Sequence, residues 1–176
     1  MMRAFLAICF VAMIKVGGCA QKTETVSIKV YFLNTANDPN VDDCRDVKPT
    51  ERKIPKTTGV AKAALEELFK GVTPEEAKKG FVSFSPEETS GILKSINKKN
   101  GAAYVNFDKM VYEKLGNATT SCGGGFFSSI EATLKQFPTI KKVFYAIERS
   151  PADFYEWVQV GECPDELKDC DNTNFI

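Results

Sequence analysis

Six cysteines, two glutamate pairs and a triple glycine are the residues of this 176-residue chain best suited to chemistry, and histidine is absent altogether. A chain without imidazole holds no Ser-His-Asp or Cys-His nucleophile, no His-ligated zinc and no histidine general base. Acid–base work would fall to carboxylates, lysine, tyrosine or thiols. Glu75-Glu76 and Glu87-Glu88 could act as paired acids, but each follows a Thr73-Pro74 or Ser85-Pro86 dipeptide, where helix capping already accounts for it. Gly123-Gly124-Gly125 precedes a helical pattern, and a helix N-terminus with free amides suits phosphate. The run continues as Phe-Phe-Ser-Ser, without the Gly-Lys-Ser/Thr of a phosphate loop, so a flexible approach to Cys122 is expected instead. Asn37, Asp38, Asn40, Asp42 and Asp43 gather oxygen ligands, as do Asp169, Asp171 and Asn174, yet neither group has EF-hand spacing. Both are read as solvated loops, and no metal or cofactor is expected. Lys94, Lys98 and Lys99 near Tyr104 read as charges that guard a strand edge, in preference to a basic aromatic patch.

The cysteines fix the compartment. Arg3 and the apolar run Ala4 to Ile14 have signal-peptide anatomy. As a helix that run would span about 16 Å against a hydrocarbon core of roughly 30 Å, too short for a permanent span. It ends in Val16-Gly17-Gly18-Cys19, which resembles a bacterial lipobox, so residues 1–18 are expected to be removed and Cys19 to carry the lipid. Gly18-Cys19-Ala20 also fits ordinary signal peptidase, which would release a secreted protein. Cys9 falls in the signal, leaving Cys44, Cys122, Cys163 and Cys170 as disulfide candidates with three possible connectivities. Cys163 and Cys170 bound a short polar excursion whose ends can meet, and Cys44 and Cys122 are then left for each other. No close-spaced cysteine pair suggests zinc.

These residues must be positioned by a modest set of elements. Charges balance at 23 basic and 23 acidic groups, which argues against a nucleic-acid partner, and 43% hydrophobic content suits one compact domain. After a tether over residues 19–25, Val26 to Phe32 alternates as a half-buried strand, and Val47 to Ile54 reads as a second. Val60, Ala61, Ala64, Leu65 and Leu68 recur at helical spacing, with Thr57 or Thr58 as the start and Gly71 beyond the end. Asn100-Gly101 joins strands Ile92 to Lys99 and Ala102 to Phe107 in a type I′ hairpin, pairing Lys99 with Ala102, Ile96 with Val105 and Lys94 with Phe107. Phe126, Ile130, Leu134 and Phe137 form the stripe of a second long helix ended by Pro138, and Ile140 to Glu148 reads as the last strand. The order predicts an α/β two-layer sandwich, one mixed β-sheet with two main helices packed on one face.

Val30 to Asn34, the helix Ala61 to Gly71 running into Thr73 and Glu76, the hairpin Asn100 to Phe107, and Thr133 to Val143 resemble, in order and spacing, the GerMN domain of bacterial envelope proteins. The resemblance covers about residues 26–150. Val72 stands where the family usually has proline. The resemblance implies a non-enzymatic interaction module without catalytic residues, and it supports pairing Cys44 with Cys122. The protein is therefore expected to be an exported, lipid-anchored envelope protein that works through contacts with envelope proteins or through self-assembly. The rival expectation is an envelope hydrolase or a binder of glycan or small ligand. Residues 151–176 lie outside the resemblance and hold seven carboxylates against Lys168 alone. They are expected either to strap onto the domain or to offer Phe154, Tyr155 and Trp157 as a docking surface for a basic partner.

Overall fold

The computed structural model describes residues 24–36, 44–116 and 123–176. The alternating pattern makes strand β1 (Thr25–Asn34), which turns Ile28, Val30 and Phe32 inward. Strand β2 (Val47–Pro55) runs antiparallel along one edge of β1, and β3 (Phe81–Val82) meets only Leu33 and Asn34 on the other. A second sheet holds β4 (Leu93–Lys99), β5 (Ala102–Phe107) and β6 (Lys142–Ile147), antiparallel between β4 and β5 and parallel between β5 and β6.

The expected single mixed sheet is therefore two three-stranded sheets, and the edge of β1 shows why. The Lys29 amide donates to Gln136 Oε1 at 2.8 Å, Gln136 Nε2 donates back to the Lys29 carbonyl at 2.6 Å, and the Tyr31 amide donates to Thr133 Oγ1 at 3.2 Å. Side chains thus take the backbone groups that another strand would use, so no strand is needed there to satisfy them. Helices α1 (Val60–Leu68) and α5 (Gly123–Lys135) pack on each other, and each touches both sheets. Their buried stripes, Ala64, Leu65 and Leu68 from one and Phe126, Ile130 and Leu134 from the other, join the two sheets into one core.

Local chemistry sets the remaining elements. Helix α2 (Pro74–Ala77) and α3 (Pro86–Thr89) begin with full capping boxes on Thr73 and Ser85. Helix α1 starts at Gly59 without a side-chain cap; Thr57, expected there, instead accepts the Gly59 amide at 3.2 Å. Asn100 and Gly101 take φ of 51° and 80°, as the hairpin requires, and Lys99–Ala102 and Ile96–Val105 pair as predicted. A bulge between Leu93 and Ser95 then places Leu93, not Lys94, opposite Phe107. That shift lets the apolar side chain meet the core while the Lys94 ammonium pairs with Glu148 at the surface. The three glycines are the first turn of α5, not a loop. A Cβ on Gly125 would lie 2.8 Å from Leu33 Cδ1 and 3.1 Å from the Cys44 carbonyl oxygen, so any larger residue there would force these neighbours to shift.

Strand β5 is buried along its whole length, on both faces. Phe107, facing one way with Val105, lies 6.1 Å from both Tyr145 and Phe154, the latter carried by helix α6 (Pro151–Trp157). Tyr104 faces the other way, 5.3 Å edge-on to Phe175 near the C-terminus. Asn97 and Lys99 donate to the Asn174 carbonyl and side chain, at 3.1 and 3.0 Å, and Lys142 pairs with Glu166 at 2.6 Å, fixing the strap along the sheet. Cys163 and Cys170 are disulfide-bonded, with Cα atoms 5.5 Å apart, around the buried Leu167. Cys44 is also disulfide-bonded. The signal segment with Cys19, the Asn37–Asp43 acids and Cys122 lie outside the described residues.

Phe175 is fully buried while its neighbour Ile176 is 67% exposed, which supplies an internal control. Phe175→Ala should lower unfolding free energy by about 3 kcal/mol in urea titrations, and Ile176→Ala by less than about 0.5 kcal/mol. Equal, small effects would mean that the strap contributes nothing to the core.

Candidate functional site

The glutamates with the most catalytic look are the most committed to architecture. Glu76, 7% exposed, accepts the Thr73 amide at 2.7 Å in its capping box, the Thr50 hydroxyl at 2.7 Å and Arg52 Nη2 at 2.5 Å. Arg52 also donates to the Gly71 carbonyl at 3.1 Å, lies 4.0 Å from Glu67, and stands 5.9 Å over the Phe32 ring. One guanidinium thus ties β2 to the end of α1, to α2 and to β1. Burial alone would raise the Glu76 pKa, but the Thr73 amide, the Thr50 hydroxyl and the Arg52 charge together hold it below the usual 4.5. Such a group is anionic at neutral pH and saturated with donors, and it does not suit a general acid. Glu88 is likewise engaged, accepting the Ser85 amide at 2.7 Å.

A groove of about 370 Å³ opens where β3, α1, α3 and α5 converge. Its walls are apolar, chiefly Phe69, Phe84 and Phe126, with Phe126 stacked 5.6 Å from Phe69 and edge-on to Phe84 at 5.3 Å. Two of its polar groups are occupied: Thr89 donates to the Phe69 carbonyl at 2.6 Å, and Ser83 accepts the Val72 amide at 3.1 Å while donating to the Phe84 carbonyl. Glu88 is its only carboxylate among the described residues and completes the capping box of α3.

The other singled-out residues are dispersed. Lys94 pairs with Glu148 and lies 3.7 Å from Asp108, Lys98 reaches Thr139, Lys99 reaches Asn174, and Tyr104 lies beneath Phe175. Asp171 accepts the amide and hydroxyl of Thr173, and Asn174 holds the strap, so the C-terminal oxygens serve the chain itself. No group of three acidic or sulfur ligands converges among the described residues.

The expected aromatic docking triad requires correction. Phe154 is 2% and Tyr155 8% exposed, because α6 lies against β6 and sends both rings into the core. Tyr145 stacks 4.9 Å from Phe154, and burial pushes the Tyr155 phenol up to about 12. Trp157 alone of the three is half-exposed. Its indole N–H donates to the Gly116 carbonyl at 3.0 Å, and its ring meets Tyr112 edge-on at 5.9 Å. Tyr112, in the short helix α4 (Val111–Lys114), is 44% exposed and was not singled out by sequence; so was Arg52 missed. Arg52 could have been found from strand alternation, which puts it on the inward face of β2 between Thr50 and Ile54.

The chain belongs to the Germane family, described as sporulation and spore germination, whose model matches residues 29–152. No curated protein matches it in sequence. Among solved structures it is similar to the tandem GerMN domains of the sporulation protein GerM from Bacillus subtilis, at 20% identity over 76% of this chain and a TM-score of 0.48. It spans 42% of that tandem chain. A candidate lipoprotein from Clostridium perfringens aligns over 70% of this chain and 75% of its own, at 18% identity and a TM-score of 0.41. The first GerMN domain of GerM from Bacillus subtilis aligns over 69% of this chain and 82% of its own, at 21% identity and a TM-score of 0.35.

Removing one member of the Arg52–Glu76 pair should leave a buried charge. Arg52→Met is expected to cost about 3 kcal/mol in urea titrations, and the double variant with Glu76→Gln less than the sum of the single changes by roughly 1–2 kcal/mol. Because the Glu76 pKa is lowered by folding, its stabilisation is present above the ordinary 4.5 and is lost as pH falls through the folded value. Glu76→Gln should therefore flatten the acid limb of the stability profile, and an unchanged limb would contradict the assignment.

Proposed function

We propose that this Germane-family chain is an exported domain, held at a membrane surface by a lipid on Cys19, that works without catalysis through contacts with other envelope proteins. The observation that carries the reading is the fate of the carboxylates: in each glutamate pair the second member, Glu76 or Glu88, completes a helix capping box, and Glu76 is locked by Arg52. A carboxylate hydrolase needs a cleft with two carboxylates free to exchange protons, whereas the groove between β3, α1, α3 and α5 is walled by aromatic rings and has one capping glutamate. An apolar groove and a half-exposed aromatic pair are features that protein contacts use, which supports the reading.

The N-terminal sequence supports the location. Arg3, the apolar stretch and the small residues before Cys19 fit a lipidated export signal, and acyl chains would hold the domain at the membrane. No helix among the described residues is long and apolar enough to cross a membrane.

Expression of the full chain in a bacterial host with labelled palmitate tests the anchor. Label and membrane fractionation should both be lost in Cys19→Ser, and a variant that stays membrane-bound without label would overturn lipid anchoring. Cross-linking in intact source cells tests the contacts: a small set of stoichiometric envelope partners, or ladders of the chain itself, is expected. Monomer alone across growth stages would overturn that half of the reading.

A further inference from the structure

The C-terminal segment carries an uneven share of the charge. The whole chain is neutral, yet residues 151–176 hold seven carboxylates and one lysine. Glu166 is taken up by Lys142. Asp153 and Glu156, both exposed on α6, make no ion pair among the described residues. Asp153 lies four residues before Trp157, hence on the same side of the helix.

Beside them stands the one large aromatic side chain that is exposed among the described residues, Tyr112. Its partner Trp157 is fixed from three sides: the indole N–H is bonded to the Gly116 carbonyl, and the ring lies 6.0 Å from Phe154 and 6.2 Å from Phe127. A ring held in this way loses little freedom when a partner arrives. The carboxylates reach the ring pair electrically as well, since after partial burial the charges of Asp153 and Glu156 are what raise the Tyr112 phenol pKa.

We infer that Tyr112 and Trp157, with Asp153 and Glu156 at their border, form a docking surface for a basic protein segment, receiving a lysine or arginine side chain against the rings. Aromatic faces attract cations through their quadrupole, and unpaired carboxylates beside them add a direct charge attraction and select against acidic partners. The apolar groove at Phe84 and Phe126 lies among other elements and has no comparable charge at its walls. The inference rests on the protein-contact reading above and names the chemistry of the partner.

The chain has a single tryptophan, and it is part of the surface, so its fluorescence reports occupancy directly. The mature full-length protein is titrated with a hexa-arginine peptide and, separately, with hexaglutamate and phosphatidylcholine vesicles, at low and at high salt. A saturable change in Trp157 emission with hexa-arginine alone is expected, weakened at least tenfold in Tyr112→Ser and in the Asp153→Asn/Glu156→Gln double variant. These side chains are exposed, so circular dichroism and melting should stay unchanged. The control is Asp165→Asn/Asp169→Asn on the same acidic segment, which should leave binding within about twofold of wild type.

Equal losses in the control variant would reduce the effect to diffuse acidity and overturn the site. Binding of the choline vesicles with the same sensitivity to Tyr112→Ser would assign the rings to a lipid headgroup and overturn the protein partner. No saturable response at low salt would also overturn it. Envelope cross-links that persist unchanged in the double variant would sink this surface while leaving the broader reading intact.

Discussion

Six consecutive residues, Ala102 to Phe107, are shut off from water on both faces of their strand, and that constraint obliges the chain to supply two covers. Helices α5 and α6 provide one, bringing Phe126, Phe127 and Phe154 around Phe107 and Tyr145. The strap that ends in Phe175 provides the other, over Tyr104 and Phe144. Residues beyond the reach of the family match at 152 are therefore part of the same hydrophobic unit. A strand buried on both faces must also place its polar groups well. Asn106, 2% exposed, accepts the Arg149 amide at 2.8 Å and so fixes the tight turn between β6 and α6. Glu148 and Arg149 both take positive φ in that turn, a conformation their side chains disfavour, and the chain accepts it in order to aim α6 back onto the sheet.

The first sheet answers to a different constraint. Its strands β1 and β2 present Arg52 inward, so a charge sits where the core would otherwise be apolar. Glu76 neutralises it, and because Glu76 also caps α2, the same carboxylate that ends one problem starts a helix. Position of the apolar groove follows from this junction, since α1, β3 and α3 are set by the Gly71 and Thr73 turn that Arg52 and Glu76 hold. The groove is thus placed by the same contacts that cap α2 and hold Arg52.

Local rules made much of this legible from sequence. The capping boxes at Thr73 and Ser85, the Asn100-Gly101 turn, the helical stripe Phe126-Ile130-Leu134 and the alternation through Phe32 each depend on neighbours within a few residues, and each has its expected form. What escaped depends on distant partners. Sheet number turned on Thr133 and Gln136 reaching about a hundred residues back to β1, which no period in either segment announces. Burial of Phe154 and Tyr155 turned on whether their helix would find an open face of β6, so composition made them look available when packing had consumed them. Tyr112 gave the converse error: a lone tyrosine in a four-residue helix carries no pattern, and only the fold brings Trp157 to it.

The dependence of the whole on the doubly covered strand is tested most directly by native-state hydrogen exchange of the β5 amides, comparing the full mature chain with one ending at residue 158. Loss of the strap should accelerate exchange across Ala102 to Phe107 by at least a hundredfold, with the amides of β1 much less affected. Equal protection of β5 in both chains would contradict the account, because the second face would then need no cover.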